Sequence, residues 1–158
     1  MADPNTSGTS GFDTNQDGAF EDEDEFVEIR NISGAPIDIG ELELWDSGRG
    51  NWFTFPAGTM LAAGEHAIVT TGFQGAPLGP EFFFAESGSP VINNTGDNVV
   101  LYDPASDQYI SATFNGDALD DPTDYSGFSD TATRSGSCLL YTSPSPRDQR
   151  GSRMPSSA

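Results

Sequence analysis

Apolar residues fall in short runs separated by turn-forming residues along the whole chain. In EFVEIRN, Glu25–Asn31, Val27 and Ile29 share one face of a strand and Phe26 takes the other. Ile32 to Pro36 reads as a turn. Ile37, Ile39, Leu42 and Leu44 follow, and Gly40 breaks their alternation, which predicts a bulge or bend between two short strands. Further strands are expected at Trp52–Phe55, His66–Thr70, Glu81–Ala85, Asn98–Tyr102 and Gln108–Phe114. Turns at Asp46–Gly50, Ala57–Thr59, Ala63–Glu65, Asn93–Asp97 and Asp103–Asp107 separate them. No window carries the period of a long amphipathic helix. About eight short strands at this spacing predict an all-β sandwich. Phe53, Phe55, Ile68, Phe83, Val99, Leu101, Ile110, Ala112 and Phe114 are the expected inner faces. Asn115–Ser137 is polar and acidic, without periodicity.

Composition supports this. The 158 residues allow one ordinary domain with some tail, and 18 Gly with 11 Pro suit a turn-rich β protein. Apolar residues make up only 35%, but 11 Phe, 4 Tyr and 2 Trp can build a core. Asp plus Glu number 25 against six basic residues, all arginine, for a formal −19. That charge argues against a nucleic-acid backbone as partner, which needs a basic face, and disfavours an anionic membrane surface. No apolar run approaches a membrane span, and no signal peptide is visible at Met1.

The composition changes abruptly at Cys138. Cys138–Asp148 and Ser152–Ala158 resemble two constant blocks of a transposase-type sequencing adapter translated in one frame. Gln149, Arg150 and Gly151 fit a sample index between them. Residues 138–158 are therefore expected to be a non-native tail on a gene fragment of metagenomic type. Setting them aside removes the only cysteine, Asp148, and half the arginines. Residues 1–137 then carry 24 acids and three arginines, a formal −21. No disulfide, thiol nucleophile or cysteine metal site is open to them.

One segment carries candidate chemistry. Asp13 to Asp24, DTNQDGAFEDED, follows the pattern of a twelve-residue calcium loop. Asp13, Asn15 and Asp17 stand at loop positions one, three and five, and Gly18 at six permits the sharp turn. Ala19 offers its carbonyl at seven, with Glu21 at nine and Asp24 at twelve. Calcium is a hard cation needing six to eight oxygens, and this alternation points oxygens inward. Position twelve is Asp rather than Glu and a strand follows rather than a helix, so an isolated, structural Ca2+ loop is expected, not an EF-hand pair. The bland alternative is an acidic surface turn.

Glu28, Asp46, Asp97 and Asp103 are the carboxylates available for paired acid–base or metal chemistry. The last three sit beside turns, where Asp is common for local hydrogen bonding. His66 reads as a surface strand position. No Ser-His-Asp spacing, P-loop or glycine fingerprint is present, so no catalytic residue is assigned and the chain reads as a non-enzyme. Trp45, Trp52, Phe73 and Phe82 are candidates for a ligand or glycan surface, against core packing. Asn31-Ile32-Ser33 and Asn93-Asn94-Thr95 match the glycosylation sequon.

MADP at the start, DEFVEIRN, PIDIGELEL, FTFPAGTML, AAGEHAIV and INNTGDNVVLYDP, in that order and spacing, resemble the lamin tail domain family. The resemblance runs across most of residues 1–137. It implies an immunoglobulin-like β-sandwich, here over residues 1–128 with the calcium-loop-like insert at 13–24. Residues 129–137 then form a truncated C-terminal segment. Members often carry a "Ser-Gly-Trp" step where this chain has Ile39-Gly40-Glu41-Leu42, so that corner is expected to pack differently. Members also begin with a strand ahead of Ala-Asp-Pro, so the first strand is expected to be missing here. By resemblance, the function is a non-catalytic interaction or adhesion module of a secreted or cell-surface prokaryotic protein. Its partner would be a protein or glycan, together with other domains of the parent. The alternatives are a spacer in a repetitive surface protein, or an appendage of a secreted nuclease or phosphatase.

Overall fold

The computed structural model describes residues 13–14, 18, 24–71, 79–85, 90–93, 96–114, 118–135 and 140–142. Among these residues eleven strands run in chain order: β1 Phe26–Asn31, β2 Ile37–Asp38, β3 Glu43–Asp46, β4 Gly50–Thr54, β5 Met60–Leu61 and β6 His66–Thr70. They continue with β7 Phe82–Phe84, β8 Asp97–Asp103, β9 Gln108–Phe114, β10 Thr133–Arg134 and β11 Leu140–Thr142. One sheet has the order β11-β1-β6-β7 and the other β10-β9-β8-β3-β4, with β2-β5 as a two-stranded ribbon. This is the immunoglobulin-like β-sandwich expected from the strand spacing and the resemblance.

The main core lies between the sheets. Val27, Ile29, Leu44, Phe55, Ala67, Val69, Val99 and Leu101 are all buried there. Phe53, Phe55 and Phe83 pack edge to face, with centroids 4.9 to 6.1 Å apart. Val27 and Ile29 share one face as expected, and that face is the inner one. The inner face of β6 differs from expectation: Ala67 and Val69 are buried, and Ile68 is not part of the core. The register supplies the reason, since Val69 lies opposite Val27 and Ala67 opposite Ile29, and directly opposed residues share a face. Ala112 is also only half-buried, and the side chain of Phe114 lies outside the described residues.

The expected bend at Gly40 is present. Ile39 N–H donates to the Thr59 carbonyl at 2.8 Å and Glu41 N–H to the Phe55 carbonyl at 3.0 Å. A Cβ on Gly40 would stand 2.5 Å from the Gly58 nitrogen, so only glycine lets the two backbones approach this closely.

A second core covers the outer face of the five-stranded sheet. Trp45, Val100, Tyr102 and Tyr109 are buried beneath Tyr125, Phe128 and Ala132. The covering segment is the polar stretch that carried no periodicity. A 3-10 turn at Pro122–Asp124 starts it, capped by Asp121, whose side chain accepts from Thr123 N–H. Asn98 ties it to β8, donating to the Ala118 carbonyl at 2.9 Å and accepting from Asp120 N–H at 3.0 Å. β10 then pairs parallel with β9.

Candidate functional site

The candidate loop enters the domain at the start of β1. Thr14 N–H and Oγ1 donate to Asp24 Oδ1 at 2.8 and 3.3 Å, and both residues are fully buried. This contact closes the loop at its base. Gly18 has φ +90° and donates its N–H to Asp13 Oδ2 at 3.0 Å. Loop position six is therefore in the left-handed region that favours glycine, and it is folded back on the carboxylate at position one. The base is fixed to the core by Glu25, whose Oε2 accepts from Val91 and Ile92 N–H, both at 3.0 Å. The Glu25 carbonyl accepts from Thr71 N–H at 3.0 Å. Of the six expected ligands, Asp13 and Asp24 are described. Asn15, Asp17, Ala19 and Glu21 lie outside the described residues. Among the described residues no three acidic, His or Cys side chains converge. The donor set is all oxygen, which fits a hard cation such as calcium rather than a soft one.

The carboxylates weighed for acid–base work separate into three places. Glu28 Oε1 lies 2.5 Å from His66 Nδ1, joining β1 to β6. Asp103 caps the β8–β9 turn, accepting from Ala105 N–H and Ser106 Oγ at 2.9 and 2.7 Å. Asp46 and Asp97 do come together, both buried, at the end of β3 and the start of β8. Burial, then the charge of Asp97, raises the Asp46 carboxyl above the ordinary aspartate value, while the N–H groups of Gly48 and Arg49 pull it down. Asp97 accepts from the N–H groups of Asn93 and Asn98, each at 2.8 Å. Both carboxyls therefore hold turns through backbone donors, the role that Asp commonly takes beside turns. Tyr125, outside every motif in the sequence, donates to Asp120 at 3.2 Å. Its phenol is raised first by burial, then by the charge of Asp120, with smaller contributions from Asp46 and Asp97.

Trp45 is a core residue. Its ring stands edge-on to Phe128 at 5.1 Å and its Nε1 donates to Glu43 at 2.6 Å. Trp52 packs against the main core beside Phe53, and Phe82 is half-buried on β7; Phe73 lies outside the described residues. Sequence reasoning did not anticipate a groove of about 330 Å3 at the β2 end of the sandwich. Ile37, Ile39, Leu42, Leu101 and Ile110 form its apolar wall, with Asp38, Asp103 and Gln108 also lining it. No helix among the described residues is long and apolar enough to cross a membrane.

No curated protein and no solved structure is significantly similar to the chain. The family model described as Lamin Tail Domain matches residues 3–117, a span that holds the candidate loop and β1 to β9. With that match covering most of the chain and the sandwich behind it, the chain belongs to the lamin tail domain family.

Proposed function

We propose that this chain is a non-catalytic, calcium-stabilised interaction module of a secreted or cell-surface protein. The observation that carries the reading is the closed acidic loop. Its base is pinned by Thr14 on Asp24, and Gly18 is turned back onto Asp13. Calcium at Asp13, Asn15, Asp17, the Ala19 carbonyl, Glu21 and Asp24 would offset repulsion along the run Glu21–Glu25. The ion's role is structural: it stiffens the entry to β1. The module binds its protein or glycan partner through its surface, and the groove lined by Ile37, Leu42 and Ile110 supplies a concave apolar place for one.

Thermal melting in millimolar calcium and in chelator tests the reading. Extracellular calcium modules bind at about 10⁻⁴–10⁻³ M. At 10 mM calcium, mass action then stabilises the folded state by about 1.5–3 kcal/mol, on the order of 5–10 °C in Tm. Asp13→Asn in the full chain is expected to abolish most of that shift. An unchanged Tm at 10 mM calcium would remove calcium from the proposal.

A further inference from the structure

We infer that the groove at the β2 end of the sandwich takes an extended, basic segment of a partner protein. The segment's aliphatic side chains lie on the groove floor, and its lysine or arginine heads meet Asp38 and Asp103. This rests on the interaction-module reading above and names the partner's chemistry. The floor is aliphatic: Ile37, Ile39, Leu42, Leu101 and Ile110 line it, and Ile37, Leu42 and Ile110 are only half-buried. Tyr102 and Tyr109 border the groove, but their rings pack on Phe128 in the second core. Among the described residues the floor therefore offers hydrocarbon to an aliphatic side chain, and no ring for a sugar face to stack on.

The rim is acidic. Asp38 and Asp103 stand on it, and no basic residue is found among its described lining. Asp38 Oδ1 accepts from Gly40 N–H at 2.8 Å, and Asp103 accepts from Ala105 N–H and Ser106 Oγ. An ionised carboxylate has about four lone-pair sites, so each keeps room for a further donor. The chain's formal −19 draws a cationic segment toward this rim and repels an acidic one. An aliphatic stem on an apolar floor with its charged head at a wet rim is the placement that lysine and arginine favour.

The backbone of β2 accounts for the extended shape. Ile39 N–H donates to the Thr59 carbonyl, and Ile37 lies opposite Leu61. Residues 37 and 39 thus turn their backbone groups toward β5, and Asp38 turns its N–H and C=O the other way. Among the described residues β5 is the one strand that pairs with β2. A strand added at Asp38 sends alternate side chains to opposite faces. Aliphatic ones fall on the face of Ile37 and Ile39, and a basic one falls beside the Asp38 carboxylate, where opposite charges across strands are favourable. In such strand addition the main chain gives affinity and the pockets for alternate side chains give specificity. The groove's volume of about 330 Å3 is near the lower end of ligand sites, about 300–1,000 Å3, and suits a short segment.

Titration of the full chain with the peptide acetyl-Lys-Val-Lys-Leu-Lys-amide, followed by amide NMR shifts, tests this. Shifts are expected at residues 37–42 and 108–110. Glycine in place of the peptide's Val and Leu is expected to weaken binding roughly tenfold or more, and glutamate in place of its lysines by at least as much. Asp38→Asn with Asp103→Asn keeps the acceptors for Gly40 and Ala105 N–H. It is expected to weaken the lysine peptide roughly tenfold and to flatten its salt dependence. No shifts at about 1 mM peptide, or shifts confined to other residues, overturn the inference. A glycine peptide that binds equally well overturns it too, since net charge alone then suffices. So does a double variant with the parent's Tm and the parent's affinity, or a groove whose shifts answer to maltohexaose and not to the peptide. The titration is run in calcium and in chelator. Peptide binding that fails while calcium still raises Tm strikes this inference and leaves calcium stabilisation standing; binding equal in both, with Tm indifferent to calcium, does the reverse.

Discussion

Asn31 fastens a corner of the sandwich through one side chain. It is fully buried, and its Nδ2 donates to the carbonyls of Ala35, Leu61 and Ala62 at 2.8 to 3.0 Å. Its Oδ1 accepts from Ser33 N–H and Oγ at 2.9 and 2.7 Å. The amide is needed because the site asks for donors on one side and an acceptor on the other, which no other side chain of this size supplies. Asn31 heads a sequon in the sequence, but a side chain so enclosed cannot carry a glycan in the folded domain. Asn31→Ala strands buried carbonyls and is expected to cost about 2–4 kcal/mol by urea unfolding at pH 7. Asn31→Asp keeps the shape but turns an anionic oxygen on three carbonyls. It is expected to lose at least as much at pH 7 and to regain part near pH 4, where the protonated acid supplies one donor. Equal stability of Asn31→Asp and the parent at pH 7 would contradict this account.

At the scale of elements, what was legible depended on contrast between faces. β1 alternates cleanly, so the face shared by Val27 and Ile29 followed from the sequence; β6 is apolar on both faces at Ala67, Ile68 and Val69, so its phase waited on the register with β1. The acidic loop stood out because its motif is local: twelve consecutive residues, with Gly18 at a position whose φ of +90° favours glycine. The second core was not legible. Tyr125, Phe128 and Ala132 sit singly among polar residues, and what joins them is contact with Trp45, Tyr102 and Tyr109 far away in sequence. Phe128 stands at their centre, with ring centroids 5.1 Å from Trp45, 4.6 Å from Tyr102, 5.9 Å from Tyr109 and 6.3 Å from Tyr125. Phe128→Ala is expected to destabilise the domain by about 3–5 kcal/mol. It should also red-shift the Trp45 fluorescence as water reaches the indole. A loss under 1 kcal/mol in equilibrium unfolding would mean that the segment packs on the sheet without stabilising it.

Over the whole molecule, the question is how a chain of formal charge −19 keeps its acids in a fold at all. Backbone N–H groups take much of the role that cations usually fill: they donate to Glu25, Asp38, Asp46, Asp97, Asp103 and Asp121. Such bonds to ionised acceptors are among the stronger ones, but they do not cancel charge. Where two carboxyls meet, as Asp46 and Asp97 do, burial and the neighbouring charge favour a proton on Asp46. Asp46 titrates above its ordinary 3.8 when folded because of burial, then the charge of Asp97. The folded state thus binds a proton that the unfolded chain releases. Stability from this group is complete below about pH 3.8 and is lost as pH rises through the folded value. Asp107 runs the other way. Hydrogen bonds from Thr131, Ser129 and Tyr102 hold its carboxyl below 3.8, so its contribution is present above that value and falls away as acid protonates it. The two contributions therefore oppose each other on acidification, Asp46 gaining where Asp107 loses. Asp46→Asn keeps the acceptor for Gly48 and Arg49 N–H and gives Asp97 a donor. It is expected to raise Tm at pH 7 and to remove the gain that Asp46 contributes on acidification toward pH 4. Melting curves across that range check it, at constant ionic strength so that screening of the net charge stays fixed. A variant whose Tm at pH 7 falls below the parent's would show that the carboxylate pair stabilises the ionised fold, and that something other than a proton offsets its repulsion.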